Sequence, residues 1–159
     1  MKYLKLDPFC NECIFVKTRT NKGNFGINGY WFVESKGALG KRRFDKNNSI
    51  YLDGQKLNLN IDRRVKTLYF YCFSENQTQN LNFVINDNEK YFTKVIDWGD
   101  CNSYDLKYHH VKIYRKLLTN KKRVLNIYIS KVNLFSRIEL KNIHFEFNPC
   151  IHIIAIGYK

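Results

Sequence analysis

The closing segment Asn148-Pro149-Cys150-Ile151-His152-Ile153-Ile154-Ala155-Ile156-Gly157-Tyr158 is apolar on both parities of a two-residue alternation. Successive side chains of a strand point to opposite faces, so a strand apolar on both faces must be covered on both. Such a segment belongs inside a sheet. The expectation is a single domain over residues 1–159 whose core this strand completes.

The same period runs through most of the chain. In Leu68-Tyr69-Phe70-Tyr71-Cys72-Phe73, Leu68, Phe70 and Cys72 share one face and Tyr69, Tyr71 and Phe73 the other, which predicts a central strand. Leu81, Phe83 and Ile85 alternate with polar residues, and Asn86-Asp87-Asn88-Glu89 supplies turn chemistry before Tyr91 to Ile96, so a hairpin is expected. Val124 to Ile129, Ile143 to Phe147 and Ile151 to Ile156 repeat the pattern. Upstream, Asn28-Gly29 precedes a strand at Gly29 to Val33. Asp53-Gly54 is expected to turn a strand at Ser49 to Leu52 back into one at Leu57 to Ile61. Val111 to Leu118 is the one candidate helical stretch, and it is short and basic. Eight or more short strands with two prolines, Pro8 and Pro149, predict an all-β, antiparallel two-sheet β-sandwich over an α/β fold. Gly99 to Tyr108 reads as a loop at one end of it, where binding sites of such folds concentrate.

At 159 residues and 44% hydrophobic, the chain can bury a core without staples and is too apolar for a disordered polymer. No stretch reaches the roughly 18 apolar residues of a membrane span, and Met1 to Asp7 lacks the apolar region of a secretory signal. Cys10, Cys13, Cys72, Cys101 and Cys150 make an odd set that fits free thiols in a reducing compartment, so a cytoplasmic location is expected. The sequons at Asn47 and Asn76 then carry little meaning.

Motifs for catalysis are weak. Cys10-Asn11-Glu12-Cys13 has no second pair to complete a tetrahedral zinc site and no strand-to-helix setting for a redox dithiol. His109 and His110, if on a strand, would point to opposite faces and form a surface pair. His144 and His152 fall on strand faces with no nucleophile motif near them. Asp97, Asp100 and Asp105 are clustered in sequence, but glycoside hydrolysis needs two carboxylates at a separation that the fold must set. Gly23, Gly26 and Gly29 lack the Lys-Ser/Thr of a phosphate loop and read as a flexible loop. The expectation is a protein that is not an enzyme and holds no cofactor or metal.

Charge is more informative. Lys and Arg outnumber Asp and Glu 27 to 14, giving a formal charge of +13, which draws anionic partners without choosing among them. Between Leu106 and Ile138 stand nine Lys or Arg residues and no carboxylate, interleaved with Tyr108, Tyr114, Tyr128 and Phe135. Cations for phosphates and rings for bases suit nucleic acid. Lys107, Lys112, Arg115, Lys116, Lys121, Lys122 and Arg123 are the candidate polyanion-binding residues. In a sandwich, however, half of the rings would point inward, and no nucleic-acid-binding signature accompanies them.

Val95-Ile96-Asp97-Trp98-Gly99-Asp100 and the closing Asn148 to Ile156 together resemble the accessory β-sandwich of some bacterial glycoside hydrolase family 38 α-mannosidases. Phe25 to Trp31 resembles the Gly-rich entry loop of that domain and Leu68 to Phe73 its central strand. The resemblance spans Leu6 to Tyr158 and implies a galactose-binding-like jelly roll. It also implies a non-catalytic carbohydrate-binding or carbohydrate-related accessory module; this sequence lacks the mannosidase catalytic domain and is more basic than such modules usually need. Sugar recognition sets an aromatic ring on the apolar face of a pyranose and polar side chains on its hydroxyls. Tyr30, Trp31, Asp97, Trp98, Asp100 and Asn102 are the candidate ligand-binding residues, with core plugs as the competing role for the two tryptophans. The alternatives are a binder of polyanions, acidic glycan or nucleic acid, and a structural subunit of an assembly.

Overall fold

The computed structural model describes residues 1–11, 16–17, 24–27, 30–33, 49–59, 61, 63–99, 108–118 and 124–159. In chain order the strands are β1 (Lys2–Tyr3), β2 (Val16–Lys17), β3 (Asn24–Ile27), β4 (Tyr30–Val33), β5 (Ile50–Leu52), β6 (Lys56–Asn58), β7 (Arg64–Ser74), β8 (Gln79–Ile85), β9 (Glu89–Val95), β10 (Val111–Leu118), β11 (Val124–Glu139), β12 (Asn142–Phe145) and β13 (Asn148–Tyr158). A single 3-10 turn at Asp7–Phe9 is the helical content of the described residues, and none of their helices is long and apolar enough to cross a membrane.

Among the described residues every pairing between strands is antiparallel. The larger sheet runs β1-β13-β7-β11-β10, with β5 sharing the β1 edge of β13; the second runs β6-β12-β8-β9; β2, β3 and β4 form a third. The expectation of an antiparallel β-sandwich therefore holds. β7 sits between β13 and β11, and its buried residues include Leu68, Phe70 and Cys72 on one parity and Tyr71 and Phe73 on the other, as the two-faced alternation requires. The closing strand is buried from Ile151 to Gly157. A register shift between Ile153 and Ala155 lets Ile153 and Ile156, of opposite parity, both enter the main core.

That core lies between the two larger sheets. Leu68, Phe70, Cys72, Ile151, Ile153 and Ile156 meet Leu57, Leu81, Phe83, Ile85, Ile143 and Phe145, all fully or almost fully buried. Phe70 meets Phe83 edge-on at 5.0 Å between ring centroids and Phe145 at 6.2 Å. Each such side chain contributes about 1.5–3 kcal/mol by leaving water, which is why alternation alone drives the two sheets together. Ser130 Oγ also donates to the Lys94 carbonyl at 2.6 Å, linking β11 to β9.

Three local expectations change. Asp53-Gly54 does not close a hairpin: β5 pairs with β13 and β6 with β12, so the turn carries the chain from one sheet to the other. Gly54, at φ +86°, supplies the left-handed residue that the reversal needs, and the second strand is Lys56–Asn58. Val111–Leu118 is strand β10, held by β11 along its length. Gly26 stands in β3 opposite Trp31, so the glycine-rich segment there is strand rather than loop. His109 and His110 lie on the turn entering β10 rather than on a strand, and both are exposed, the surface pair expected.

Candidate functional site

The predicted sugar site centres on the segment after β9. Asp97 forms a parallel bridge with Ser74, where the Trp98 amide donates to the Ser74 carbonyl at 3.0 Å. Both Asp97 carboxylate oxygens are engaged: Oδ2 accepts from the Gln77 amide at 2.8 Å and Oδ1 from the Gly99 amide at 2.7 Å. Tyr128 donates its hydroxyl to the Asp97 carbonyl at 3.2 Å, and the Asn126 amide donates to the Trp98 carbonyl at 2.7 Å. A carboxylate tied down by two amides serves the turn.

Trp98 is half-buried and lies flat on Phe73, with centroids 5.3 Å apart and planes 6° from parallel. Phe73 in turn stacks on His152 at 5.0 Å, and Tyr51 closes the row at 6.2 Å from His152. His152 is buried, with Nε2 3.4 Å from a Glu75 carboxylate oxygen. One face of the Trp98 indole is thus taken by a neighbour. Tyr30 and Trp31 lie on β4, opposite Ile27 and Gly26 of β3. Asp100 and Asn102 lie outside the described residues.

Of the predicted polyanion residues, Lys112 is exposed on β10. Arg115 and Lys116 follow on the same strand, in register with Ile127 and Asn126. Lys107, Lys121, Lys122 and Arg123 lie outside the described residues, as does Cys13. Cys10 packs into the main core. Partial desolvation, helped by the charge of His109, lowers the pKa of His110. Among the described residues no three His, Cys, Asp or Glu side chains gather around a common point.

A different surface carries unsatisfied aromatic area. Phe92, in the middle of β9, is 69% exposed, because its neighbours Tyr91 and Thr93 take the inward parity. Asn82 lies opposite it on β8, and Lys90 lies opposite Val84. Asn82 Nδ2 donates to Glu146 Oε2 at 2.9 Å, and the Glu146 amide donates to the Asn82 carbonyl at 3.2 Å, which brings the segment after β12 to the same spot. These residues line a shallow groove of about 160 Å³ with Phe92 and Lys90 at its sides. No ring among the described residues stacks on Phe92. Two other phenylalanines are comparably exposed, Phe135 at 78% and Phe147 at 68%, but neither lines this groove.

The signal for this surface is present in the sequence. Strict alternation over Leu81 to Ile85 and Tyr91 to Val95 assigns Phe92 to the parity of Lys90 and Lys94, where a solvent-facing polar residue is the default. A large ring there is an anomaly that a folding argument leaves unused. No family model matches the sequence, and no curated protein matches it significantly.

Proposed function

We propose that this protein is a carbohydrate-binding module of the galactose-binding-like jelly-roll type, and that it grips sugar on the outer face of the β6-β12-β8-β9 sheet. The observation that carries the reading is Phe92, exposed on a rigid strand beside the Asn82–Glu146 pair. A pyranose laid on the ring buries its apolar C–H face, while Asn82, Glu146 and Lys90 supply an amide, a carboxylate and an ammonium to its hydroxyls. Strand positions hold such groups more firmly than end loops do. The reading is of binding without turnover, with Glu146 among the groove's lining residues as an acceptor for sugar hydroxyls.

A screen against neutral and acidic oligosaccharides, followed by calorimetry on the ligands found, tests the reading. Phe92→Ala should abolish detectable binding of neutral sugars while moving stability by less than about 0.5 kcal/mol, since the ring is exposed. Phe135→Ala and Phe147→Ala, comparably exposed and outside the groove's lining, should bind as the parent does. Neutral-sugar binding that survives Phe92→Ala, or no binding across the screen, overturns the proposal.

A further inference from the structure

A second concavity lies where the chain enters β7 and leaves β11. It has a volume of about 330 Å³ and is lined by Leu59, Ile61, Arg63, Arg64, Glu139, Leu140 and Lys141. That size falls within the range of small-molecule sites. Its chemistry is two-part: Leu59, Ile61 and Leu140 give apolar wall, while three cations stand against one described carboxylate. Arg64 and Glu139 are partners in the ladder between β7 and β11, yet no ion pair within 4.0 Å engages Arg63, Arg64 or Lys141 among the described residues. Asp62, between Ile61 and Arg63, lies outside the described residues.

The walls of this groove are held in place from outside it. Asn86, in the turn between β8 and β9, has φ 51° and reaches across to the other wall. Its Oδ1 accepts from the Lys141 amide at 2.8 Å and the Asn142 amide at 3.3 Å, and its Nδ2 donates to the Glu139 carbonyl at 2.7 Å. The opposite wall is tied to the same segment, the Leu59 amide donating to the Lys141 carbonyl at 2.7 Å. The backbone bearing Lys141 is therefore fixed before any ligand arrives, which reduces the ordering cost of binding.

We infer that the groove formed by Arg63, Arg64 and Lys141 binds a compact ligand bearing sulfate or phosphate esters. Guanidinium groups present planar forks that match tetrahedral oxyanions, and the lysine adds a point charge. The apolar wall suits the framework that carries the esters. No aromatic ring lines the groove among its described residues, so it lacks the stacking platform by which single-stranded nucleic acid is held. This site is independent of the Phe92 surface, and neither requires the other.

Sucrose octasulfate and inositol hexakisphosphate, with inorganic sulfate and phosphate beside them, are the probes; the tighter pair identifies the ester. Amide resonances of residues 59, 61, 63–64 and 139–141 should shift and saturate on titration. The R63Q/R64Q/K141Q variant should bind the tighter ester probe at least about tenfold more weakly, as expected from losing charge-assisted hydrogen bonds. A K2Q/K5Q/K131Q variant removes the same net charge from exposed sites elsewhere and should stay within about twofold of the parent, because distant surface charges are screened. Equal weakening in both variants would show a diffuse charge effect and overturn the assignment. So would shifts confined to other residues, or saturation by duplex DNA through this groove with no response to the compact probes.

Discussion

Asn86 offers the sharpest test of how the sandwich holds one of its ends. Its side chain makes three hydrogen bonds to the segment from Glu139 to Asn142 while its backbone sits at φ 51°. Two substitutions separate these contributions. Asn86→Gly removes the side-chain bonds but accepts the left-handed backbone; Asn86→Ala removes the same bonds and adds the strain of a Cβ in that conformation. Net worth per bond is about 0.5–1.5 kcal/mol, and two of the three are solvent-exposed, so the low end applies. Asn86→Gly should lose about 1–2 kcal/mol and Asn86→Ala about 1 kcal/mol more, reversing the usual order in which alanine outranks glycine. Urea unfolding of the three proteins at a common slope measures this, with Tm falling by about 2–4 °C per kcal/mol for a domain of this size. An alanine variant as stable as the glycine variant would refute the role of the backbone. Both variants within about 0.5 kcal/mol of the parent would refute the role of the side chain.

Two titratable groups give further predictions. Burial pushes the Cys72 thiol up to about 12, so at neutral pH it should react with a thiol reagent only as fast as the protein unfolds, while half-buried Cys150 reacts sooner than it does. The Lys56 ammonium, 2.6 Å from an Asp87 carboxylate oxygen, holds that carboxyl below the usual range, assisted by Asn142. A depressed folded value stabilises above the unfolded carboxylate pKa and is lost as pH falls through the folded one. Lys56→Gln should therefore raise the Asp87 pKa in a carboxyl NMR titration and flatten the acid side of the stability profile; an unmoved Asp87 would mean that the pair does not set it.

Legibility in the sequence follows what the two-residue period can and cannot encode. It fixes which side chains share a face, which is why β7, the β8–β9 hairpin and β13 are readable from Leu68, Leu81 and Ile151 onward. It does not encode which strand lies beside which. Asp53-Gly54 has the chemistry of a hairpin turn, but β5 completes the edge of β13 and β6 that of β12, a choice made by distant partners. For Asp97 and Trp98 the sequence gives adjacency at a turn. That Gln77 and Gly99 take both carboxylate oxygens, and that Phe73 takes one indole face, depends on where β7 ends in space.

The two proposed surfaces differ in the force each uses, and this bears on the formal charge of +13. Stacking on Phe92 is driven by apolar burial and should barely change between about 0.05 and 0.2 M salt, whereas oxyanion capture at Arg63, Arg64 and Lys141 should weaken steeply over the same interval. An acidic oligosaccharide long enough to reach both would show a partial salt response, with Phe92→Ala removing the salt-independent share and R63Q/R64Q/K141Q the rest. The excess of lysine and arginine then acts over a longer range than either contact, concentrating anionic chains near the surface before any one site selects among them.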